Sequence, residues 1–159
     1  EVLPGFEVDK RSEAAERYLA RALGGKAIDT GRLLDQVMTI LNDARFAPGF
    51  APGSRAEVSS GGTIAIGGET RSISGKIDRL AVTDSHVLIV DYKTNRPAPK
   101  RQADVPQNHI AQLALYQSVL QPLYPDKKVE AALVYTEGPN VIHLDAASVK
   151  AALEALTAS

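Results

Sequence analysis

The sequence predicts a mixed α/β domain, a sandwich of helices around one sheet. Three observations predict it. Residues with helical spacing open the chain, a meander of strand-like runs fills 55–93, and a helix, two strands and a last helix follow. At 159 residues with 44% hydrophobic and 23% charged content, the chain suits one ordinary domain with a real core.

The elements follow in order. Over 11–24, Ala15, Tyr18, Leu19, Ala22 and Leu23 recur at helical spacing, and Gly24-Gly25 ends the run. Thr30 can cap a second helix carrying Leu33, Leu34, Val37, Met38 and Leu41, and Phe46 to Ser54, with Pro48-Gly49 and Pro52-Gly53, reads as a loop. Strands are predicted at 55–60, 62–67, 71–82 and 86–93, with Gly61-Gly62 and Gly67-Gly68 as turns. After a loop from Asn95 to Pro106 come helix 107–121, strand 128–136, short strand 141–144 and helix 146–157. Residues 1–54 form an N-terminal helical part and 55–159 the core carrying the chemistry; there is no internal repeat.

Composition excludes several classes. With no Cys, disulfides, zinc–thiolate sites and iron–sulfur clusters are ruled out for this sequence. No apolar run reaches transmembrane length, and no Gly-Lys-Ser/Thr follows the glycine pairs, so neither a membrane anchor nor an ATP-binding phosphate loop is expected. The net charge of −1 is unevenly spread. Arg71, Lys76, Arg79, Lys93, Arg96, Lys100 and Arg101 face only Asp78, Asp84 and Asp91 over 71–101. A local basic patch there suits a polyanion such as a phosphodiester backbone.

That same segment holds the candidate site. Asp91 and Lys93 follow the apolar run 87–90 and, two apart on a strand, share a face. A turn centred on Asp84-Ser85 pairs 82 with 87, 80 with 89 and 78 with 91. Asp78 and Asp91 then become cross-strand neighbours with Cβ atoms roughly 5 Å apart. Two carboxylates so placed repel and suit a hard cation, Mg²⁺ or Mn²⁺, while Lys93 can steady an attacking water. On helix 107–121, Gln112 and Tyr116 share a face and can contact phosphate or a stacked base, or hold Lys93.

In sequence order, Gly75-Lys76-Ile77-Asp78-Arg79-Leu80, then Val87 to Asn95 with Asp91-Tyr92-Lys93, then Gln112-Leu113-Ala114-Leu115-Tyr116 resemble the PD-(D/E)xK nuclease superfamily. The likeness is to the C-terminal nuclease domain of AddA/RecB-type helicase–nucleases, and Arg55-Ala56-Glu57-Val58 looks like the strand preceding the site in AddA proteins. The resemblance implies a restriction-endonuclease-like fold and metal-dependent hydrolysis of DNA. Asp78, Asp91 and the backbone carbonyl of Tyr92 would ligate the metal, with Lys93 catalytic and Glu57 in support. Gln112, Tyr116 and Arg96 would lie at the DNA.

It also implies a setting: double-strand-break repair in the bacterial cytoplasm at the nucleoid. The partners would be single-stranded DNA, a helicase part of the same polypeptide and an AddB-like subunit. Because the chain opens at Glu1, it reads as a piece of a longer protein. The family's His ligand on an N-terminal helix has no match, since His86, His109 and His143 all come later, so that ligand is expected upstream of Glu1. His109, at the helix start, stands near where relatives often have Tyr, which leaves a DNA contact open; a solvated side chain is the favoured reading. Two competing readings remain: a catalytically silent DNA-binding or scaffolding module, and a stand-alone nuclease of the same superfamily.

Overall fold

The computed structural model describes residues 3–24, 28–51 and 53–158, so Gly25, expected to help end the first helix, and Pro52, expected in the loop, lie outside the described residues. Helices α1 (Arg11–Leu23) and α2 (Thr30–Asn42) come first. Thr30 is the first helical residue rather than the cap: Asp29 caps α2 by accepting a hydrogen bond from Arg32 N at 3.0 Å.

A five-stranded sheet follows, made of β1 (Arg55–Ile66), β2 (Glu69–Val82), β3 (His86–Lys93), β4 (Lys128–Tyr135) and β5 (Asn140–His143) in that spatial order. All neighbours are antiparallel except β3 and β4. A parallel pair needs a crossover, and helix α3 (Gln107–Leu120) supplies it. Helix α4 (Ala146–Thr157) closes the domain, capped by the side chain of Asp145.

One expectation fails in β1. Residues 55–60 and 62–67 are not two strands: β1 runs unbroken through Gly61-Gly62. Gly62 is there for space, because a Cβ on it would lie 2.8 Å from Val119 Cγ1 on α3. The turn is the second glycine pair. Gly67 (φ 58°) and Gly68 (φ 81°) join Ile66 to its partner Glu69, the left-handed geometry that a two-residue hairpin requires.

The sheet has two apolar faces. Under α3 and α4 lie Leu80, Val87, Ile89, Val129, Ala131, Leu133 and Tyr135; on the other side Phe46 and Ile40 cover Ala81, Leu88, Val90, Ala132 and Val134. Strands β3 and β4 are covered on both faces, which is why 87–90 and 131–135 read as nearly continuous apolar runs. Each fully buried Val, Leu or Ile there contributes about 1.5–3 kcal/mol. This rigid centre carries Asp91 and Lys93 at the C-terminal end of β3.

Candidate active site

Asp91 and Lys93 leave β3 on the face covered by α3. The Asp91 residue is buried, at 4% exposure, and Lys93 Nζ lies 2.8 Å from its Oδ2. Gln112, reaching down from α3, ties the pair together. Its amide oxygen accepts from Lys93 Nζ at 2.7 Å and its Nε2 donates to Asp91 Oδ1 at 3.1 Å. One residue thus fixes both a carboxylate and an ammonium. Burial pushes the Asp91 carboxyl above its ordinary range, opposed by the Lys93 ammonium, while the Asp78 charge adds to the rise.

Asp78 stands where β2 faces the same end of β3. The anticipated register holds at Val82–Val87, Leu80–Ile89 and Arg79–Val90, but regular pairing stops there and Asp78–Asp91 is not a ladder pair. Instead Asp78 Oδ2 accepts a hydrogen bond from Tyr92 N at 2.8 Å. The carboxylate is held by the backbone beside Asp91, not opposite it.

Tyr116, one turn beyond Gln112, is buried, and its hydroxyl donates to the Lys76 carbonyl at 3.0 Å. It lies against Gly75, where a Cβ would sit 2.6 Å from the phenol oxygen. That contact explains the glycine: the ring and the β2 backbone touch directly. Tyr116 therefore clamps β2 two residues before Asp78.

The basic segment is not a uniform patch. Arg79 is buried on the other face, donating to the Gly49 carbonyl and, at 2.6 Å, to Ser54 Oγ, with its guanidinium 4.8 Å from the Phe50 ring centre. Arg71, Lys76, Arg96 and Arg101 pair with Glu69, Glu57, Glu137 and Asp104. Arg96 and Lys100 are exposed on the loop after β3.

His109 is buried at 8% exposure rather than solvated, with Nδ1 2.9 Å from the hydroxyl of the fully buried Tyr135. Tyr135 is the register partner of Lys93, so the His–Tyr pair lies beside the Asp91–Lys93 pair. Burial, then the Lys93 charge, lowers the His109 pKa, opposed by the Asp91 charge. The available signal was the spacing of His109 and Gln112, three apart on one helix face. His86 contacts Ser85 and His143 contacts the Arg45 carbonyl, both away from the carboxylates.

The donor set fits a divalent cation. Asp91 Oδ2 is fully buried and, despite its ion pair, makes no hydrogen bond of proper geometry, leaving a lone pair for a further partner. Among the described residues no group of three or more His, Cys, Asp or Glu side chains is placed to hold a metal ion. The protein thus offers two carboxylates, and a hard divalent cation can be held by as few as one or two with water completing its shell.

The family model of the PD-(D/E)XK nuclease superfamily matches residues 6–157, nearly the whole chain. The chain belongs to that superfamily. The five-stranded mixed sheet flanked by four helices agrees with its restriction-endonuclease-like fold. Among solved structures, "Crystal structure of SSO0001" is similar to it at 17% identity and a TM-score of 0.41, covering 92% of this chain and 67% of that one. No curated protein matches the chain. Membership in a nuclease superfamily makes phosphodiester hydrolysis the activity class, and no helix among the described residues is long and apolar enough to cross a membrane.

Proposed function

We propose that the chain is a Mg²⁺- or Mn²⁺-dependent deoxyribonuclease domain, acting on single-stranded DNA within an AddA-type helicase–nuclease that processes double-strand breaks. The observation that carries the site is the Asp91–Lys93–Gln112 network beside Asp78, with a buried Asp91 oxygen whose one close partner is the Lys93 ammonium. The setting rests on the likeness of 75–80, 87–95 and 112–116 to AddA/RecB domains; a helicase part of the same polypeptide and an AddB-like subunit would be its partners.

Asp78, Asp91 and the Tyr92 backbone carbonyl would hold the cation. When bound, it supplies charge neutralisation at the phosphoryl oxygens and a more acidic water. The chain's own groups do the rest. Lys93, steered by Gln112, presents a fixed ammonium where negative charge develops on the phosphate. Gln112 keeps Asp91 and Lys93 in one geometry, and Tyr116 keeps β2 close enough for Asp78 to reach Tyr92 N. Arg96, exposed on the following loop, is the best placed of the expected DNA contacts; Gln112 and Tyr116 act mainly through their protein partners.

The test is cleavage of a labelled single-stranded oligonucleotide with Mg²⁺ or Mn²⁺, comparing the chain with Asp91→Ala and Lys93→Ala. Loss of metal-dependent cleavage in both variants is expected; full activity in both would sink the site assignment. A second reading, a silent DNA-binding module, is favoured by one observation: Lys93 already neutralises Asp91 without a metal. Tight metal-independent DNA binding with no cleavage would select it.

A further inference from the structure

Glu57 has a backbone φ of +57°, the one non-glycine residue among those described with a positive value. A glutamate in an otherwise extended strand gains nothing locally from this conformation, which L side chains disfavour. Its carboxylate meets Lys76 Nζ at 2.6 Å, but both side chains are more than half or about half exposed, and such pairs do little to offset strain. The reason for the conformation lies across the ladder.

Pairing between β1 and β2 runs from Ile66–Glu69 to Arg55–Leu80 with a single omission: Ala56 pairs with Arg79 and Val58 with Ile77, but Glu57 and Asp78 do not pair. The face alternation of β2 breaks at the same place. Ile77 and Leu80, three residues apart, both enter the core under α3, whereas Ala81 enters the opposite core.

The β3 side of Asp78 is released too. Thr83 N bonds His86 O, so stepping by two along antiparallel strands makes 81–88, 79–90 and 77–92 the hydrogen-bonded pairs. Tyr92 N would then bond the Ile77 carbonyl. It bonds the Asp78 carboxylate instead.

We propose that Glu57 is a positioning residue for Asp78: its left-handed backbone interrupts the sheet on both sides of Asp78 and turns that carboxylate toward Tyr92 and the divalent-cation position. This rests on the metal-dependent reading above. Ile77 is carried into the core by the same turn of the backbone, at 1% exposure, which anchors the irregularity from below. The conformation, not the Glu57 carboxylate, is what acts.

Glycine adopts a positive φ freely, and a β-branched residue resists it. Glu57→Gly and Glu57→Val therefore both remove the carboxylate and separate backbone from charge. The readouts are Mn²⁺ affinity by calorimetry on the full chain and the Tyr92 amide signal by NMR, with Asp78→Asn as the reference for a lost Asp78–Tyr92 bond. Glu57→Gly is expected to keep the parent's Tyr92 signal and Mn²⁺ affinity. Glu57→Val is expected to move the Tyr92 signal as Asp78→Asn does and to weaken Mn²⁺ by about tenfold or more. Should Glu57→Val fail to fold, Glu57→Thr takes its place. An unchanged Tyr92 signal and Mn²⁺ affinity in the β-branched variant, or their loss in Glu57→Gly, would overturn the proposal. If the parent itself binds no Mn²⁺, the metal-dependent reading falls, and the Tyr92 signal alone still decides whether Glu57 places Asp78.

Discussion

On its β4 side, Asp91 sits in an unbroken parallel register that runs from His86–Lys128 to Lys93–Tyr135, and the carboxylate is held by side chains, those of Lys93 and Gln112. Around Asp78 the ladder is interrupted on both sides, and the carboxylate is held by a backbone N–H. The first region places its charge by regularity and the second by a departure from regularity. A regular strand end gives a carboxylate a direction; here the second one reaches it where the ladder is open, on a hydrogen bond from Tyr92 N. Helix α3 serves both, with Gln112 over Asp91 and Tyr116 against β2.

The largest effect that separates the regions comes from Gln112→Leu. It strips the amide from Asp91 and Lys93 together, leaving a buried carboxylate with one partner fewer. Cleavage is expected to fall by about 10–100-fold, as for lost supporting contacts at metal sites. Stability should drop by about 1–3 kcal/mol in denaturant unfolding. The Tyr92 amide signal, which reports on Asp78, should stay put. A matching shift of Tyr92 would show that the two regions are one unit.

Gly75→Ala attacks the other region. The new methyl would meet the Tyr116 hydroxyl at 2.6 Å and its ring at 2.7 Å, so ring or strand must move, at a cost of about 1–3 kcal/mol. Here the Tyr92 signal should shift while the Lys93–Gln112 contact survives. Tyr116→Phe is gentler, removing one hydrogen bond to the Lys76 carbonyl worth about 0.5–1.5 kcal/mol, and should reproduce the direction of that shift in smaller measure. Equal stability of the Gly75→Ala variant and the parent would refute the close contact.

The contrast also explains what was legible beforehand. Asp91 and Lys93 could be read because an apolar run and a period of two suffice to aim them, and Gln112 and Tyr116 because a helix repeats its face every four residues. The register of β2 and β3 followed from a short turn between them. The rest depended on partners distant in sequence. Arg79 looks like a surface cation until the loop carrying Gly49 and Ser54 folds over it. Gly61-Gly62 looks like a turn until Val119 arrives above Gly62. His109 looks solvated until Tyr135, from β4, brings its hydroxyl within hydrogen-bond distance of the ring. Glu57 fits an alternating strand pattern perfectly well, and nothing local announces its positive φ.

The smallest effect is a pH dependence confined to the regular region. Asp91 titrates above its ordinary value of 3.8 because burial disfavours the charged form more than Lys93 favours it. A raised carboxyl pKa means that the folded chain binds this proton more tightly than the unfolded one. In divalent-free buffer, Asp91 therefore lowers stability progressively as pH rises from the unfolded-state value through the folded-state value. Asp91→Asn cannot ionise and should lack that slope, so unfolding curves of parent and variant should differ in their pH dependence across that window. Added Mg²⁺ should flatten the parent's slope as well, because a cation on the ionised carboxylate offsets the cost of burying its charge. A parent slope of the opposite sign, rising with pH through the same window and abolished in Asp91→Asn, would mean that Lys93 and Gln112 outweigh burial and that Asp91 is poised as a satisfied ion pair rather than as a ligand waiting for a cation.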